Sequence, residues 1–446
     1  MSVTTESVPG LVREVYDCCG RRYRVGPSAR RLTGHSRAWW MLWLPWAAMA
    51  AVGVLQYGFG AAVPALSAAH GWPPAQTFWL LALWTVCQAG VGLPTAYLRE
   101  RGVVGPRTVM LLGAALCLAG PVTLANSNTM GAAVLGYSVL SGTGAGLVYA
   151  GATSVASKWH PERSASKVSF VTGAFAYGSV PFVIAYVIGM TPTNLPVFMG
   201  VTGLLIGLVV AFAGILLRDP PAHWWPPHLD PQRWALDNRL NPGRVANPPA
   251  VRQFTPHEAI RTGVLPIMYV LLFFAGAVSL FNVTFFATYA LWSGLTPWPI
   301  AVGAALLVGL NGAGRAFAIR VSNRLGRRRT LSFVLSTLAL GQLCFAGAAS
   351  AGIRPLLFVA VALAGIGGGA FYPLFASLTR DYFGERNTLE IHGVIYSAKA
   401  FAGICGVGLA AVAVPAFGYP AVFLLACVLA LGSALLSRRL RRPGHH

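Results

Sequence analysis

Ile391-His-Gly-Val-Ile-Tyr-Ser-Ala-Lys399-Ala-Phe-Ala-Gly-Ile-Cys405 is an apolar run with one lysine at its centre. The run lies in a longer apolar segment, 389–413, which exceeds the roughly 20 residues that an about 30 Å hydrocarbon core requires of a helix. If the segment crosses a bilayer, the ammonium stands near mid-depth. A charge there costs roughly 2.5–3.5 kcal/mol on insertion scales, and such charges are usually functional.

The remainder of the chain fits a membrane reading. Of 446 residues, 55% are hydrophobic and only 10% charged, with mean hydropathy +0.61, a composition foreign to water-soluble globules. Eleven further segments reach spanning length: 39–66, 78–98, 107–127, 131–157, 167–190, 195–217, 265–291, 297–321, 329–350, 355–378 and 417–437. The predicted fold is an all-α polytopic membrane protein of twelve transmembrane helices.

The formal net charge of +21 would suit a nucleic-acid partner, but its distribution excludes one: the basic residues form short clusters between apolar segments. Starting with an arginine-rich tail inside, the cytoplasmic loops receive Arg99, Arg101 and Arg107; Lys158, Arg163 and Lys167; Arg320 to Arg329; Arg380 and Arg386; and Arg438 to Arg442. The outer loops keep little besides Arg354. Both termini are therefore expected on the cytoplasmic side of a bacterial-type plasma membrane. A first apolar run starting only near Trp39 argues against a cleaved signal peptide. Five of seven cysteines sit in apolar runs, and the Cys18-Cys19 pair has no mate at zinc spacing, so neither metal site nor disulfide framework is expected. The helices hold no phosphate loop or nucleophile triad; neither enzymatic activity nor a cofactor is expected.

The longest connection, 218–264, divides the segments six and six. The expected organisation is a cytoplasmic tail (1–38, with a small hairpin around Asp17–Gly20), a six-helix bundle (39–217), a cytoplasmic linker (218–264), a second bundle (265–437) and a basic tail (438–446). The linker is rich in proline and tryptophan, and its aromatics are expected at the membrane surface. An internal repeat relates the bundles. Gly142-Thr-Gly-Ala-Gly-Leu-Val-Tyr149 overlays Gly365-Ile-Gly-Gly-Gly-Ala-Phe-Tyr372 at an offset of 223 residues, which also carries Glu162-Arg163 onto Glu385-Arg386. At 222, Gly92 meets Gly314 and Arg107-Thr108 meets Arg329-Thr330. Parallel repeats of this kind are built to rock two pseudo-symmetric six-helix bundles about a central site.

All twelve acidic residues fall in tails, loops or span ends, so Arg315 and Lys399 are the charges left inside the spans. Buried cations without carboxylate partners need a counter-charge from elsewhere, and a transported organic anion supplies it. Arg315 lies five residues before Arg320, roughly 7.5 Å by helix rise, so snorkelling to the inner surface competes with a place in the site. Gln56, Tyr57, Tyr149, Tyr177, Tyr372 and Tyr396 could cage a small planar anion, because tyrosine offers an apolar wall and a hydroxyl donor. Packing or interface anchoring is the commoner use of a membrane tyrosine. Tyr149 and Tyr372 are repeat mates, and Tyr396 lies one turn from Lys399.

The stretches 92–107 and 322–329 resemble the two copies of the signature loop of the major facilitator superfamily. Both lack its usual acid, with Asn323 near that place in the second. Within the superfamily the chain resembles the oxalate:formate antiporter family. The likeness runs over most of 39–437 and is strongest in Gly144-Ala-Gly-Leu-Val-Tyr149 with Lys158-Trp-His-Pro-Glu-Arg163, in Asn311-Gly-Ala-Gly-Arg315, and from Tyr372 through Asp381-Tyr-Phe-Gly384 to Tyr396-Ser-Ala-Lys399. It implies that an arginine on the eighth helix and a lysine on the eleventh, here Arg315 and Lys399, hold a carboxylate dianion. Gln56, Tyr57, Tyr149, Tyr177 and Tyr372 match the family's aromatic cage. Gly368 and Tyr396 stand where the oxalate-specific pattern has tryptophans, implying a wider and more polar pocket.

The expectation is thus a carrier that exchanges small carboxylates, oxalate- or formate-like, by alternating access. Its partners would be the anion and the lipid bilayer, with no nucleic acid, and the chain is expected to work as a monomer. Two alternatives stand beside this. One is a proton-coupled monocarboxylate symporter, with His392 as the group able to carry a proton; the other is a transporter-like anion sensor.

Overall fold

A computed structural model describes residues 13–17, 21–241 and 243–444. Ten of its helices are long and apolar enough to span a membrane, and one bent pair makes an eleventh. They are α1 (Trp40–Tyr57 with Phe59–His70), α2 (Pro74–Glu100), α3 (Pro106–Asn126), α4 (Met130–Trp159), α5 (Pro161–Gly189), α6 (Leu195–Leu216), α7 (Val264–Trp292), α8 (Pro297–Leu325), α9 (Arg327–Ala351) and α10 (Arg354–Phe383), followed by Thr388–Ser437. The last is 50 residues long, about 75 Å at 1.5 Å per residue, far more than one bilayer needs. It breaks at Gly418, whose φ of 77° and ψ of 161° are not helical, with Pro420 just beyond. Residues 388–417 (α11) and 419–437 (α12) are thus separate spans, and the total is twelve. The 48° bend in α1 falls at Gly58, beside the Gly60 carbonyl that Pro64 cannot serve with an N–H.

Glycines at repeat-related positions set the spacing inside each half. A Cβ on Gly146 of α4 would stand 2.5 Å from the Gln88 carbonyl oxygen of α2, and one on Gly369 of α10 would stand 1.8 Å from the Asn311 carbonyl oxygen of α8. Both the glycines and the carbonyls they meet are 223 residues apart. The repeat is therefore a repeat of helix contacts, made by backbones in close approach.

Between the halves, contacts close both ends. Gly60 of α1 lies against Thr284 of α7, and Gly408 of α11 against the Trp79 ring of α2. At the opposite end, which carries the arginine-rich loops and is called here the basic face, Gly393 of α11 meets Leu93 of α2. There the Leu389 amide also donates to Glu100 Oε1 across the halves at 3.1 Å.

Three expectations change on the basic face. The tail and linker, expected as separate segments, share one sheet: strands β1 (Arg13–Tyr16) and β2 (Arg22–Val25) pair antiparallel, and β2 pairs parallel with β3 (Trp224–Trp225) of the linker. The predicted hairpin is present in its strands; positions 18–20, with Cys18 and Cys19, lie outside the described residues. The linker tryptophans do not lie along a membrane surface. Trp225, 1% exposed, packs with Tyr23 and Trp234 in a small core of its own, where burial removes large apolar rings from water. Finally, acids do serve the signature-loop arginines, but from other positions. Asp219, just after α6, pairs with Arg99 at 2.9 Å and Lys158 at 3.0 Å, and Asp381 of α10 pairs with Arg327 at 3.3 Å.

The tail also ties the halves together. Arg37 bonds the Trp159 carbonyl at 2.9 Å and pairs with Glu162 at 3.0 Å on the first half. Arg21 pairs with Glu385 at 2.9 Å on the second. Glu162 and Glu385 are the repeat mates identified in the sequence, so the tail holds equivalent acids in the two bundles.

Candidate functional site

Arg315 and Lys399 meet in the middle of the molecule, both 2% exposed. Arg315 does not snorkel toward Arg320. One guanidinium nitrogen donates to the Thr172 carbonyl of α5 at 2.8 Å; the other donates to the Tyr57 hydroxyl of α1 at 2.9 Å and to Asn311 Oδ1 at 3.3 Å. Asn311 lies one turn before Arg315 on α8, a spacing that puts both side chains on one face. The Tyr57 hydroxyl in turn donates to Asn311 Oδ1 at 3.0 Å. Arg315 Nε is buried with no partner among the described residues.

Lys399 Nζ donates to Gln56 Oε1 of α1 at 2.7 Å and Gln88 Oε1 of α2 at 2.9 Å, with the Tyr396 hydroxyl at 3.4 Å. A π-helical turn, Ile404–Leu409, follows shortly after the lysine, an irregularity that recurs at functional sites in membrane-spanning and other helices. Aromatic rings complete the enclosure. The Arg315 guanidinium lies 5.0 Å from the Tyr372 ring centre, and the Lys399 ammonium lies 5.5 Å from Phe175 and 5.6 Å from Tyr396. Tyr149 stacks on Tyr396 at 5.2 Å, and Phe175 meets both Tyr57 and Tyr149 edge to face.

Among the described residues, every hydrogen-bond partner of the two cations is neutral. Amide, hydroxyl and carbonyl oxygens solvate a buried cation without cancelling its charge, so the cluster keeps a net positive field in a low dielectric. Such a cluster attracts anions, and its flat rings suit a planar one.

Of the eight residues singled out from sequence, seven converge here: Arg315, Lys399, Gln56, Tyr57, Tyr149, Tyr372 and Tyr396. Tyr177 points elsewhere. Its hydroxyl accepts from the Trp46 indole at 2.7 Å and donates to the Phe170 carbonyl at 3.2 Å, while its ring fills the gap left by Gly312. Gln88, Asn311 and Phe175 were not among the eight. Gln88 and Asn311 carried a readable signal: they are 223 residues apart, so the repeat places an amide at the same point of each half. The Gln88 amide holds Lys399 and the Asn311 amide holds Arg315. His392, also on α11, is half-buried; its Nδ1 is buried and unpartnered among the described residues, and its ring lies 5.9 Å from Tyr396.

The family model of the Major Facilitator Superfamily matches residues 46–319 and 300–446. Among curated proteins, the oxalate:formate antiporter of Oxalobacter formigenes is 26% identical over 344 residues, covering 77% of each chain. The uncharacterized MFS-type transporter YhjX of Escherichia coli (strain K12) is 24% identical over 351 residues, covering 76% of this chain and 80% of its own. Among solved structures, the D-xylose-proton symporter superposes with a TM-score of 0.66 at 15% identity, over 90% of this chain and 98% of its own. At that identity the likeness concerns the fold alone.

Proposed function

We propose that this chain, which belongs to the Major Facilitator Superfamily and is thus an integral membrane transporter, exchanges small carboxylate anions by alternating access. One observation carries the reading: Arg315 and Lys399 are buried together, and among the described residues all their hydrogen-bond partners are neutral. A carboxylate replaces those neutral oxygens with a charged acceptor, and charge-assisted bonds are roughly twice as strong as neutral ones. A dianion would satisfy both cations at once.

The same arrangement favours exchange over net flow. Both cations belong to the second half, whereas Gln56, Gln88, Tyr57 and the Thr172 carbonyl belong to the first. Rocking the halves apart separates each cation from these partners. Closing again around an empty site returns two like charges to a low-dielectric interior, whereas closing around an anion does not. Return without cargo is the slower step. On this reading the basic face is cytoplasmic, both termini lie there, and one chain suffices for transport.

The experiment is exchange in liposomes. Labelled small dicarboxylates should enter only vesicles preloaded with a counter-anion. A second reading, proton-coupled monocarboxylate symport, is favoured by Nδ1 of His392 beside Tyr396, buried and unpartnered among the described residues. It requires uptake into empty vesicles driven by a pH gradient and lost in His392→Gln. That outcome would replace exchange with symport.

A further inference from the structure

A cavity of about 560 Å³ opens on the basic face of the second half, away from the central site, between the α8–α9 turn, the end of α10, the linker and the C-terminal tail. Arg324, Arg327, Arg328, Arg329 and Arg442 line it, against the single acid Asp381. Asp381 pairs with Arg327; among the described residues no ion pair engages the other four. Arg442 Nε is buried without a partner among the described residues.

Loop topology alone does not account for this cluster. Helix α9 begins Arg327-Arg-Arg-Thr330 with no acid in its first turn, so three cations sit at the positive end of a helix dipole, where anions are stabilised and cations are not. The matching start in the first half, Pro106-Arg107-Thr108, carries one arginine and orients its loop with that. The walls are also fixed in place. Asn247 of the linker donates to the Ser322 carbonyl at 2.9 Å and accepts from the Arg327 amide at 2.8 Å. Arg328 and the Tyr382 hydroxyl both donate to the Leu440 carbonyl, and the Arg442 guanidinium lies 5.7 Å from the Tyr382 ring centre.

We infer that this cavity binds a phosphate group. Planar guanidiniums meet phosphate oxygens in paired bonds, and an oxyanion at the start of α9 reverses an unfavourable local charge. Such a group could arrive as the headgroup of an anionic phospholipid or as free phosphate. Below Arg329 on the same face of α9, Phe333 and Leu340 are 67% and 50% exposed, an apolar track for an acyl chain.

The test uses the delipidated full-length chain in detergent, its thermal unfolding followed while dioleoyl-phosphatidylglycerol, dioleoyl-phosphatidylcholine or inorganic phosphate is added. Stabilisation by phosphatidylglycerol but not phosphatidylcholine identifies the headgroup source; stabilisation by inorganic phosphate without lipid identifies the soluble one. In either case Arg328→Gln/Arg442→Gln should raise the half-saturating concentration at least tenfold. Arg101→Gln, which removes a basic-face charge from the first half, should leave it unchanged. Anion exchange in liposomes reports that the double variant is folded. The inference is overturned if neither phosphate source stabilises the chain, if phosphatidylcholine serves as well, or if Arg101→Gln weakens the effect as much as the double variant.

Discussion

Lys399 shows how far a single residue could be read. Its cost in a hydrocarbon setting was evident from the run around it, but the oxygens that hold it belong to residues 343 and 311 positions away. Replacing Gln88 by leucine removes one of them. A hydrogen bond to a charged group contributes about 1.5–3 kcal/mol, so Gln88→Leu should destabilise the ligand-free protein by about that much, read as a lowered unfolding temperature in detergent. A saturating dicarboxylate should recover most of the loss, because the anion supplies the acceptor; a loss of equal size with and without the anion would remove Gln88 from the site. Arg315→Gln keeps a donor but not the charge, and exchange of dianions should fall at least a hundredfold. A single-cation monocarboxylate carrier would keep much of its transport. On the basic face, burial and the neighbouring Arg37 push the His160 imidazole down to about 4 from its usual 6.5. Below pH 6.5 the unfolded histidine gains a proton that the folded one refuses until about pH 4, so stability contributed by this group is lost as pH falls through that window. His160→Gln should therefore unfold with a shallower pH dependence between 6.5 and 4 than the parent; identical slopes would show that His160 does not couple.

At the scale of elements, the repeat in the sequence proved to be a repeat of contacts. Gly146 and Gly369 let α4 and α10 rest on the carbonyls of Gln88 and Asn311, whose side chains hold Lys399 and Arg315. Helix packing and site geometry are thus set at the same two points. A methyl at Gly369 must push α10 from α8, and overpacking of this kind costs typically about 1–3 kcal/mol. Gly369→Ala should lower both stability and anion affinity, while Gly432→Ala, with open space around it, should change neither. Equal effects in thermal unfolding and binding would show that the close approach is not what positions Asn311. Span number was legible because it depends on composition summed over about 20 residues. The α1 bend and the Gly418 break are also local. The direction of Tyr177 was not legible, because a ring on α5 can face either the site or Trp46, and only the neighbouring helices decide.

Across the whole molecule, the tail and linker form a strap over the basic face. Arg37 fastens it to Glu162 and Arg21 to Glu385, one acid in each half, and the Arg21 link must lengthen when that face opens. Arg21→Ala should shift inter-half distances on the basic face toward longer values, measured between spin labels on the two bundles, and high salt should act in the same direction by screening. An unchanged distance distribution would mean that the strap rides with the halves without restraining them. The sequence by itself determined the twelve spans, the two related halves and the pair of cations without acids. Each follows from hydropathy, periodicity and the cost of charge in hydrocarbon, which act residue by residue or over one helix. Only the tertiary structure decided that Arg315 turns inward to Tyr57, 258 residues away, and that Lys399 rests on two glutamine oxygens. It also decided that the linker tryptophans are buried under the tail. Those outcomes depend on which distant side chain has room beside a given helix face, and chain order does not encode that except where a repeat, as at Gln88 and Asn311, states it twice.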